Sequence, residues 1–225
     1  MVRKRQVSGG GRAVEVTPDR LGRWFARFAE RNDGVPSTRL DPDEVLVRGG
    51  NGTTATVAVP FAPLTPPEGT GEVDGLSVES LVEHVRRPRR IGLLLVRLGG
   101  HSIGIAEQGA VLVSRTDRRL VHGRNSAGGW SQQRFARRRE GQARQALAAA
   151  AEDAVDVLGS RLSELDAVVL GGDRRALDDL RADRRLAPVF ALAEPRVLEV
   201  SQPRRTVLDE AAERAWAVEI VVRDG

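Results

Sequence analysis

The sequence contains no cysteine, and it offers little that would support a metal or membrane role. Without cysteine, disulfides, thiolate-bound metals and cysteine nucleophiles are all excluded. The three histidines, His84, His101 and His122, are too scattered to suggest a metal cluster. No window approaches the ~20 apolar residues of a membrane span, and residues 1–15 lack the apolar core of a signal peptide. We therefore expect a cytoplasmic protein without membrane association.

Lysine is also nearly absent, because 34 of the 35 basic residues are arginine. The formal net charge of +4 hides an uneven distribution. Residues 86–145 contain 14 arginines and three acidic residues, a net charge of +11, whereas the remainder carries 21 basic and 28 acidic residues, a net charge of −7. Such segregation is typical of a surface that binds nucleic-acid phosphates. The clustering of arginine, more than its abundance, indicates RNA binding.

The first 75 residues divide into a tail and a small domain. Residues 1–12 are basic and glycine-rich, which is typical of a disordered tail. For residues 13–75 we predict an N-terminal α+β domain ending in a linker. Thr17-Pro18 begins a helix, and alternating segments on both sides of residues 49–52 indicate a β-hairpin over 44–47 and 53–59. The linker, residues 60–75, holds four prolines and three glycines.

Residues 76–225 predict a second domain of mixed α/β character. A short helix over 77–85 precedes three apolar segments that indicate an antiparallel meander, at residues 91–98, 102–106 and 110–113. A fourth short strand is expected near residues 119–121. After a long helix, strands alternate with helices, which favours some parallel pairing. These predicted strands cover residues 167–170, 189–192, 197–200 and 217–222. One predicted helix ends near Asp183, and another covers residues 207–214.

Two polar features of this domain have structural interpretations. Gly171-Gly172-Asp173 lies between a strand and a helix but lacks the third glycine of a dinucleotide fingerprint and the lysine of a P-loop. It indicates a structural turn. The paired acids of the predicted helices, such as Asp178-Asp179, are typical of solvated helix surface.

The stretch of greatest chemical interest, residues 122–145, joins a glycine-bearing loop to an arginine-rich helix. Ser131 is a candidate N-cap for a helix over about 132–159. Apolar residues recur there at helical spacing, at Phe135, Ala143, Leu147, Ala151, Ala154 and Leu158. Five arginines crowd the start of the helix with only Glu140 in opposition, namely Arg134, Arg137, Arg138, Arg139 and Arg144.

This stretch resembles the central domain of the eukaryotic and archaeal peptide-chain release factor. In that family a His-Gly-Arg-Gly-Gly-Gln-Ser motif precedes a helix that begins with an Arg-Phe-Ala-Arg run. The resemblance covers roughly residues 88–222 and excludes the first 75 residues. The matching positions are His122, Gly123, Arg124, Gly128, Gly129, Ser131, Arg134, Phe135, Ala136 and Arg137.

One departure from that motif moves the candidate catalytic residue. Trp130 stands where the release factor has its catalytic glutamine, and two glutamines follow Ser131. This arrangement is similar to the Vms-like release factors, which carry a Gly-Ser-Gln variant and release nascent chains from stalled ribosomal complexes. The sequence is identified as a bacterial member of that group. By this resemblance the catalytic loop is 122–133, Ser131-Gln132 is the matching pair, and Gln132 is catalytic, with Gln133 as the alternative.

The resemblance implies a peptidyl-tRNA hydrolase that acts as a monomer and needs no cofactor or metal. Its partners would be peptidyl-tRNA, rRNA and the peptidyl transferase centre of the large ribosomal subunit. Gly128 and Gly129 would let the backbone approach the tRNA acceptor end. Trp130 would either stack on a base or pack the loop against its own domain. The remaining RNA contacts would come from Arg124, Arg134, Arg137, Arg138 and Arg139.

Two other functions stay open at this point. A noncatalytic ribosome- or RNA-binding module that retains the fold would bind without cleaving the ester, as Trp130 in the glutamine position suggests. A nuclease would need clustered carboxylates and a divalent metal, which the shortage of acids in residues 86–145 disfavours.

Overall fold

The computed structural model describes residues 4–7, 9–67, 69–97, 99–118 and 131–225, with backbone but no side chains at residues 4, 118 and 131–139. The described residues form two compact units. The first unit consists of Met1–Pro88 and Trp216–Gly225, and the second unit is Arg89–Ala215.

The first unit is built on a seven-stranded antiparallel sheet in the order β1-β2-β12-β5-β4-β3-β6. Apolar and polar residues alternate along its inner strands because one face is buried, as in β4 and β5. The predicted hairpin is confirmed, since these two strands pair from Glu44↔Ala58 to Arg48↔Thr54. The strands are β1 Lys4–Gln6, β2 Arg12–Val16, β3 Ser37–Leu40, β4 Glu44–Arg48, β5 Thr54–Ala58, β6 Gly71–Asp74 and β12 Val218–Arg223.

Two helices cover the buried face of this sheet. The predicted first helix is confirmed as α1, Leu21–Arg31, which follows a 3-10 turn over Pro18–Arg20. Its residues Leu21, Phe25 and Phe28 enter the core at three- and four-residue spacing. The second helix, α2, spans Glu79–Arg86 and contributes Leu81 and Val85 to the same core.

The structure corrects the expected organisation of the first unit in three respects. Residues Lys4–Gln6, expected within a disordered tail, form β1 and pair with β2. The expected linker at 60–75 contains β6, which pairs with β3. The expected boundary at 75/76 also moves, because α2 and β12 pack in the core of the first unit. β12, from the far end of the sequence, lies between β2 and β5 in this sheet, a pairing that local sequence patterns do not record.

The second unit contains a five-stranded mixed sheet in the order β11-β10-β7-β8-β9. β7, β8 and β9 form the predicted antiparallel meander, and β10 is parallel to both β7 and β11, which confirms the expected parallel pairing. β7 is a central strand, paired with β10 and β8, and it is buried along six consecutive residues. The strands are β7 Arg90–Arg97, β8 Gly100–Glu107, β9 Ala110–Arg118, β10 Ala167–Gly172 and β11 Ala193–Leu198.

The helices of the second unit are α3 Ser131–Val157, α4 Arg174–Arg181, α5 Ala187–Ala191 and α6 Arg205–Trp216, with 3-10 turns over Gly159–Glu164 and Arg184–Leu186. The long helix predicted for 132–159 is confirmed as α3. The predicted strand over 189–192 is wrong, since these residues belong to α5 and its end. Pro188 lies in the first turn of that helix, where its missing N–H costs nothing. The predicted strand near 119–121 lies outside the described residues.

The chain is therefore a mixed α+β protein, as predicted, with an antiparallel sheet in one unit and a mixed sheet in the other. Within the described part of the chain, no helix has both the length and the apolar character needed to cross a membrane.

Candidate functional site

The predicted loop connects two elements at one edge of the sheet in the second unit. β9 ends at Arg118, whose backbone pairs with Gly100 at the start of β8. Arg97, at the carboxyl end of β7, pairs with the same glycine. α3 begins at Ser131, and residues 119–130 between the two elements lie outside the described residues. The chain thus leaves the sheet at the carboxyl edge of β7, the edge at which open α/β sheets place their functional groups.

The structure places the predicted site residues only in part. The backbones of Ser131, Gln132 and Gln133 form the start of α3, within one residue of the predicted helix start. The next turns carry the predicted RNA-binding residues Arg134, Arg137, Arg138 and Arg139, again described by backbone alone. The other predicted residues fall outside the described ranges, namely Arg124, Gly128, Gly129 and Trp130, and so does the motif position His122. Their roles stay predictions.

α3 has two parts, which we call the α3 arm (residues 131–145) and the α3 base (residues 146–157). The α3 base packs on the sheet, and its buried residues share one face: Ala150, Ala151, Ala154 and Val157. Asp153 contacts His101, which follows Gly100 at this edge of the sheet. Leu158 lies toward the opposite edge, because a Cβ placed on Gly92 would meet the Leu158 side chain at 3.2 Å. The helix therefore runs outward toward its N-terminus, and Ser131 lies about 33 Å along the axis from Asp153.

A group of four charged or titratable side chains, which we call the α3 clamp, fixes the α3 base to two strands. It consists of His101 on β8, Arg115 on β9, and Asp153 and Asp156 on α3. His101 Nε2 donates to Asp153 Oδ2 at 2.8 Å, and Arg115 Nη1 donates to Asp153 Oδ1 at 2.9 Å and to Asp156 Oδ2 at 2.7 Å. His101 is 2% exposed. On the opposite face of the sheet, Ser102 Oγ and Thr116 Oγ1 are 2.6 Å apart and link β8 to β9.

The clamp keeps the Asp153 carboxyl ionised despite its partial burial. Burial raises the pKa of Asp153, but the hydrogen bonds from His101 and Arg115 outweigh burial and hold this pKa below its ordinary value. The same carboxylates raise the pKa of Arg115. An ionised carboxylate accepts both hydrogen bonds, one on each oxygen.

Sequence reasoning missed the clamp, although one signal was present. Asp153 falls on the buried stripe of α3, three residues after Ala150 and four before Val157. An acid at such a position needs a partner on the surface against which the helix packs. His101, which the sequence showed only as one of three scattered histidines, is that partner.

A pocket of about 320 Å³ lies at the same sheet edge, between α3, α4 and the turn after β7. It contains two arginines and two aspartates, but two of the four are engaged within the fold. Arg97 Nη1 donates to the Val200 carbonyl at 2.9 Å, and Asp173 Oδ1 caps α4 by accepting from the Arg175 N–H at 3.0 Å. The formal charges of the two arginines and two aspartates in the lining balance.

Gly171-Gly172-Asp173 at the floor of this region is a structural turn, as predicted. Gly172 has φ +105°, and a Cβ there would lie 2.1 Å from the Val96 carbonyl oxygen, so the turn requires glycine. Residues 4–118 and 131–225, as far as they are described, contain no group of three His, Asp or Glu side chains that could hold a metal ion.

Comparison with known proteins decides the family. Residues 89–221 match the model of the family described as Actinobacteria/chloroflexi VLRF1 release factor. The chain belongs to this release factor family. The match covers more than half of the chain and agrees with the resemblance seen over residues 88–222, so the Vms-like prediction is confirmed.

Several solved structures are similar to this chain at low sequence identity. An archaeal translation termination factor, aRF1, is 13% identical with a TM-score of 0.45, over 89% of this chain and 70% of that one. Pelota of Archaeoglobus fulgidus is 15% identical with a TM-score of 0.31, over 94% of this chain and 64% of its own. Dom34 of S. cerevisiae is 8% identical with a TM-score of 0.29, over 93% and 65%. No curated protein sequence matches the chain.

Proposed function

We propose that this protein is a peptidyl-tRNA hydrolase that releases nascent chains from stalled ribosomal complexes. Membership in a release factor family carries the proposal. The geometry of the second unit supports it, because the α3 arm holds the candidate residues about 33 Å from the clamp, at the end of a helix. A site at the end of a long helix suits a protein that must reach a peptidyl-tRNA ester deep inside the ribosome.

The proposed chemistry requires positioning more than activation. The ester of peptidyl-tRNA is already reactive, so the loop must orient one water molecule, exclude the rest and stabilise the developing oxyanion. Gln132 would do this with its amide or its backbone N–H, because glutamine does not titrate. Gln133 is the alternative, and Gly128 and Gly129 would allow the backbone to approach the tRNA acceptor end. Ser131 is the other member of the Ser131-Gln132 pair that matches the family motif. No metal or organic cofactor takes part.

RNA binding would come from the basic part of the chain. Residues 86–145 carry a net charge of +11, which favours contact with rRNA and tRNA phosphates. In this proposal Arg124, Arg134, Arg137, Arg138 and Arg139 contact phosphates and Trp130 stacks on a base. The protein acts as a monomer in the cytoplasm, at the peptidyl transferase centre of the large subunit. The first unit does not resemble a codon-reading domain, which favours rescue over ordinary termination.

A single-turnover release assay on purified stalled complexes tests this function. Wild-type protein should release the peptide, and Gln132→Ala should slow release by about 100-fold or more while ribosome binding persists. Gln145→Ala is the matched control, because it makes the same change on the same helix about 20 Å away. Equal activity of Gln132→Ala and wild type would remove Gln132 from the mechanism, and loss in Gln133→Ala instead would assign the role to that residue.

The same assay separates the second candidate function, a noncatalytic binding module. Trp130 in the position of the family's glutamine is the observation that favours this alternative. It predicts that wild-type protein binds stalled complexes and protects them without any release of peptide. Release above the rate of spontaneous hydrolysis contradicts it.

A further inference from the structure

The α3 base meets the sheet through a surface that does little to fix the direction of the helix. Three of its four buried residues are alanines, at positions 150, 151 and 154, and the fourth is Val157; Leu147 and Val155 pack beside them half-buried. Helices set their crossing angle by fitting side-chain ridges into grooves, and methyl groups make low ridges. The directional contacts at this interface are instead the three hydrogen bonds of the α3 clamp, which reach two neighbouring strands from two helix residues one turn apart.

We propose that the α3 clamp is a positioning device that fixes the direction in which the α3 arm leaves the sheet. Asp153 is held by β8 through His101 and by β9 through Arg115. Asp156 also contacts Arg115 and attaches the helix at a second position, one turn further along. Two points on one helix, tied to two strands, restrain both the tilt of the helix and its rotation about its axis. His101, Arg115, Asp153 and Asp156 are positioning residues in this scheme.

The length of the helix makes this restraint consequential. Because Ser131 lies about 33 Å from Asp153, a tilt of about 10° at the clamp moves the start of the helix by about 6 Å. On the proposed function, reacting groups must be placed within about 1 Å. A small increase in the angular freedom of the helix at the α3 base would therefore displace the reacting groups at the N-terminus of the α3 arm.

Stability alone is a poor explanation for the clamp. Arg115 and Asp156 are about half exposed, and exposed ion pairs contribute little to folding. A buried polar pair such as His101 and Asp153 is on average no more stabilising than apolar residues of similar volume. What the clamp supplies, and an apolar contact would not, is a defined direction.

A distance measurement within the second unit tests the proposal without any need for activity. Because the chain has no cysteine, Glu140→Cys and Asp178→Cys place two spin labels on exposed positions of the α3 arm and α4. Pulsed electron paramagnetic resonance then gives the distribution of distances between them. Asp153→Ala should shift or broaden this distribution by about 3 Å or more, the displacement that a tilt of about 10° gives at Glu140. An unchanged distribution would overturn the proposal.

Two comparison variants distinguish a change in the direction of α3 from a general loosening of the second unit. Glu152→Ala makes the neighbouring change on the same helix and removes the 2.7 Å ion pair with Arg185, yet it leaves the clamp intact, so its distribution should match that of the wild type. Asp153→Asn should restore the wild-type distribution, because the amide can accept from Arg115 and donate to His101 in its other tautomer. The same broadening in Glu152→Ala would contradict a specific role for the clamp. Should Asp153→Ala fail to fold, Arg115→Ala removes two of the three hydrogen bonds from an exposed position.

The consequence for release rests on the proposed function and is measured separately. Asp153→Ala should lower the rate of peptide release at saturating protein by about 100-fold, with affinity for stalled complexes nearly unchanged and with rescue by Asp153→Asn. A changed distance distribution without loss of release would overturn the positioning role. If wild-type protein releases no peptide, the proposed function fails, and the distance measurement still decides whether the clamp sets the direction of the arm.

Discussion

The two parts of α3 carry opposite charges although they belong to one continuous helix. The α3 arm contains five arginines and one glutamate, whereas the α3 base contains three acidic residues, six alanines and no basic residue. The acids of the base have partners within the second unit, because Asp153 and Asp156 contact Arg115 and Glu152 contacts Arg185. The acids of the base are thus paired within the fold, whereas the arm carries an excess of positive charge.

This pattern opposes the helix macrodipole. Helices favour acids in the first turn and bases in the last turn, and α3 has neither. The charges of α3 are therefore not arranged for the stability of the helix. They follow what lies beside each part, the sheet for the base and, on the proposed function, RNA for the arm. On that proposal α3 combines a segment that packs in the fold with a segment that binds RNA, and each should respond to mutation in its own way.

The largest effect should come from removing charge from the arm. Replacing Arg137, Arg138 and Arg139 together by alanine should weaken binding to ribosomal complexes by about 100-fold at ~0.1 M salt and lower the salt dependence by about one unit of slope per lost phosphate contact. The melting temperature should stay the same or rise, because the lost charges oppose the dipole. Filter binding over a salt series measures the affinity.

The matched control for that triple variant removes three arginines from elsewhere in the second unit. Arg174, Arg175 and Arg184 are exposed residues of α4 and the following 3-10 turn. Their replacement changes the net charge equally but should leave most of the affinity in place. An equal loss of affinity in both triple variants would mean that net charge alone governs binding. The α3 arm would then not be a specific RNA-binding segment.

An intermediate effect should come from crowding the base. Ala150 is fully buried against the sheet, so Ala150→Leu forces extra volume into a packed interface and should lower the free energy of unfolding by about 1 to 3 kcal/mol. Ala148→Leu makes the same change two residues away on an exposed face and should stay within about 0.5 kcal/mol of wild type. Urea unfolding followed by circular dichroism measures both. Equal tolerance at both positions would show that the base is not tightly packed.

Much of the fold follows from local pattern, and the exceptions have physical causes. The apolar run that became β7 and the spacing that became α3 were long enough to be unambiguous. The segment 189–192 was not, because four apolar residues fit a buried helix turn as well as a strand. Asp183, which caps the next turn by accepting from the Arg185 N–H, and Pro188 were the available signals for a helix. β12 could not be assigned to the first unit, since its pairing with β2 and β5 joins opposite ends of the chain.

The candidate site, too, could be predicted from the sequence only in part. The loop residues, including Gln132, came from motif resemblance, and the family match supports the resemblance without describing their side chains. The clamp came from the structure alone, because the partners His101 and Asp153 are 52 residues apart in sequence. Only an acid on an apolar stripe pointed to it. Motifs identify groups that react, whereas groups that position them depend on tertiary contacts.

The smallest effect, and the finest test of the base, is the pH dependence of Asp153. Its pKa in the folded protein lies below the ordinary value of about 3.9, because the hydrogen bonds from His101 and Arg115 outweigh burial. The resulting stabilisation is therefore fully present above that ordinary value and is lost as the pH falls through the folded pKa. The melting temperature of wild type should exceed that of Asp153→Asn at neutral pH, and the difference should shrink between about pH 5 and pH 2. Asp178→Asn, at an exposed position of α4, corrects for the change in net charge. A difference that stays constant or grows in acid would mean that the carboxylate of Asp153 is not stabilised by its partners, and that the base is held by apolar packing alone.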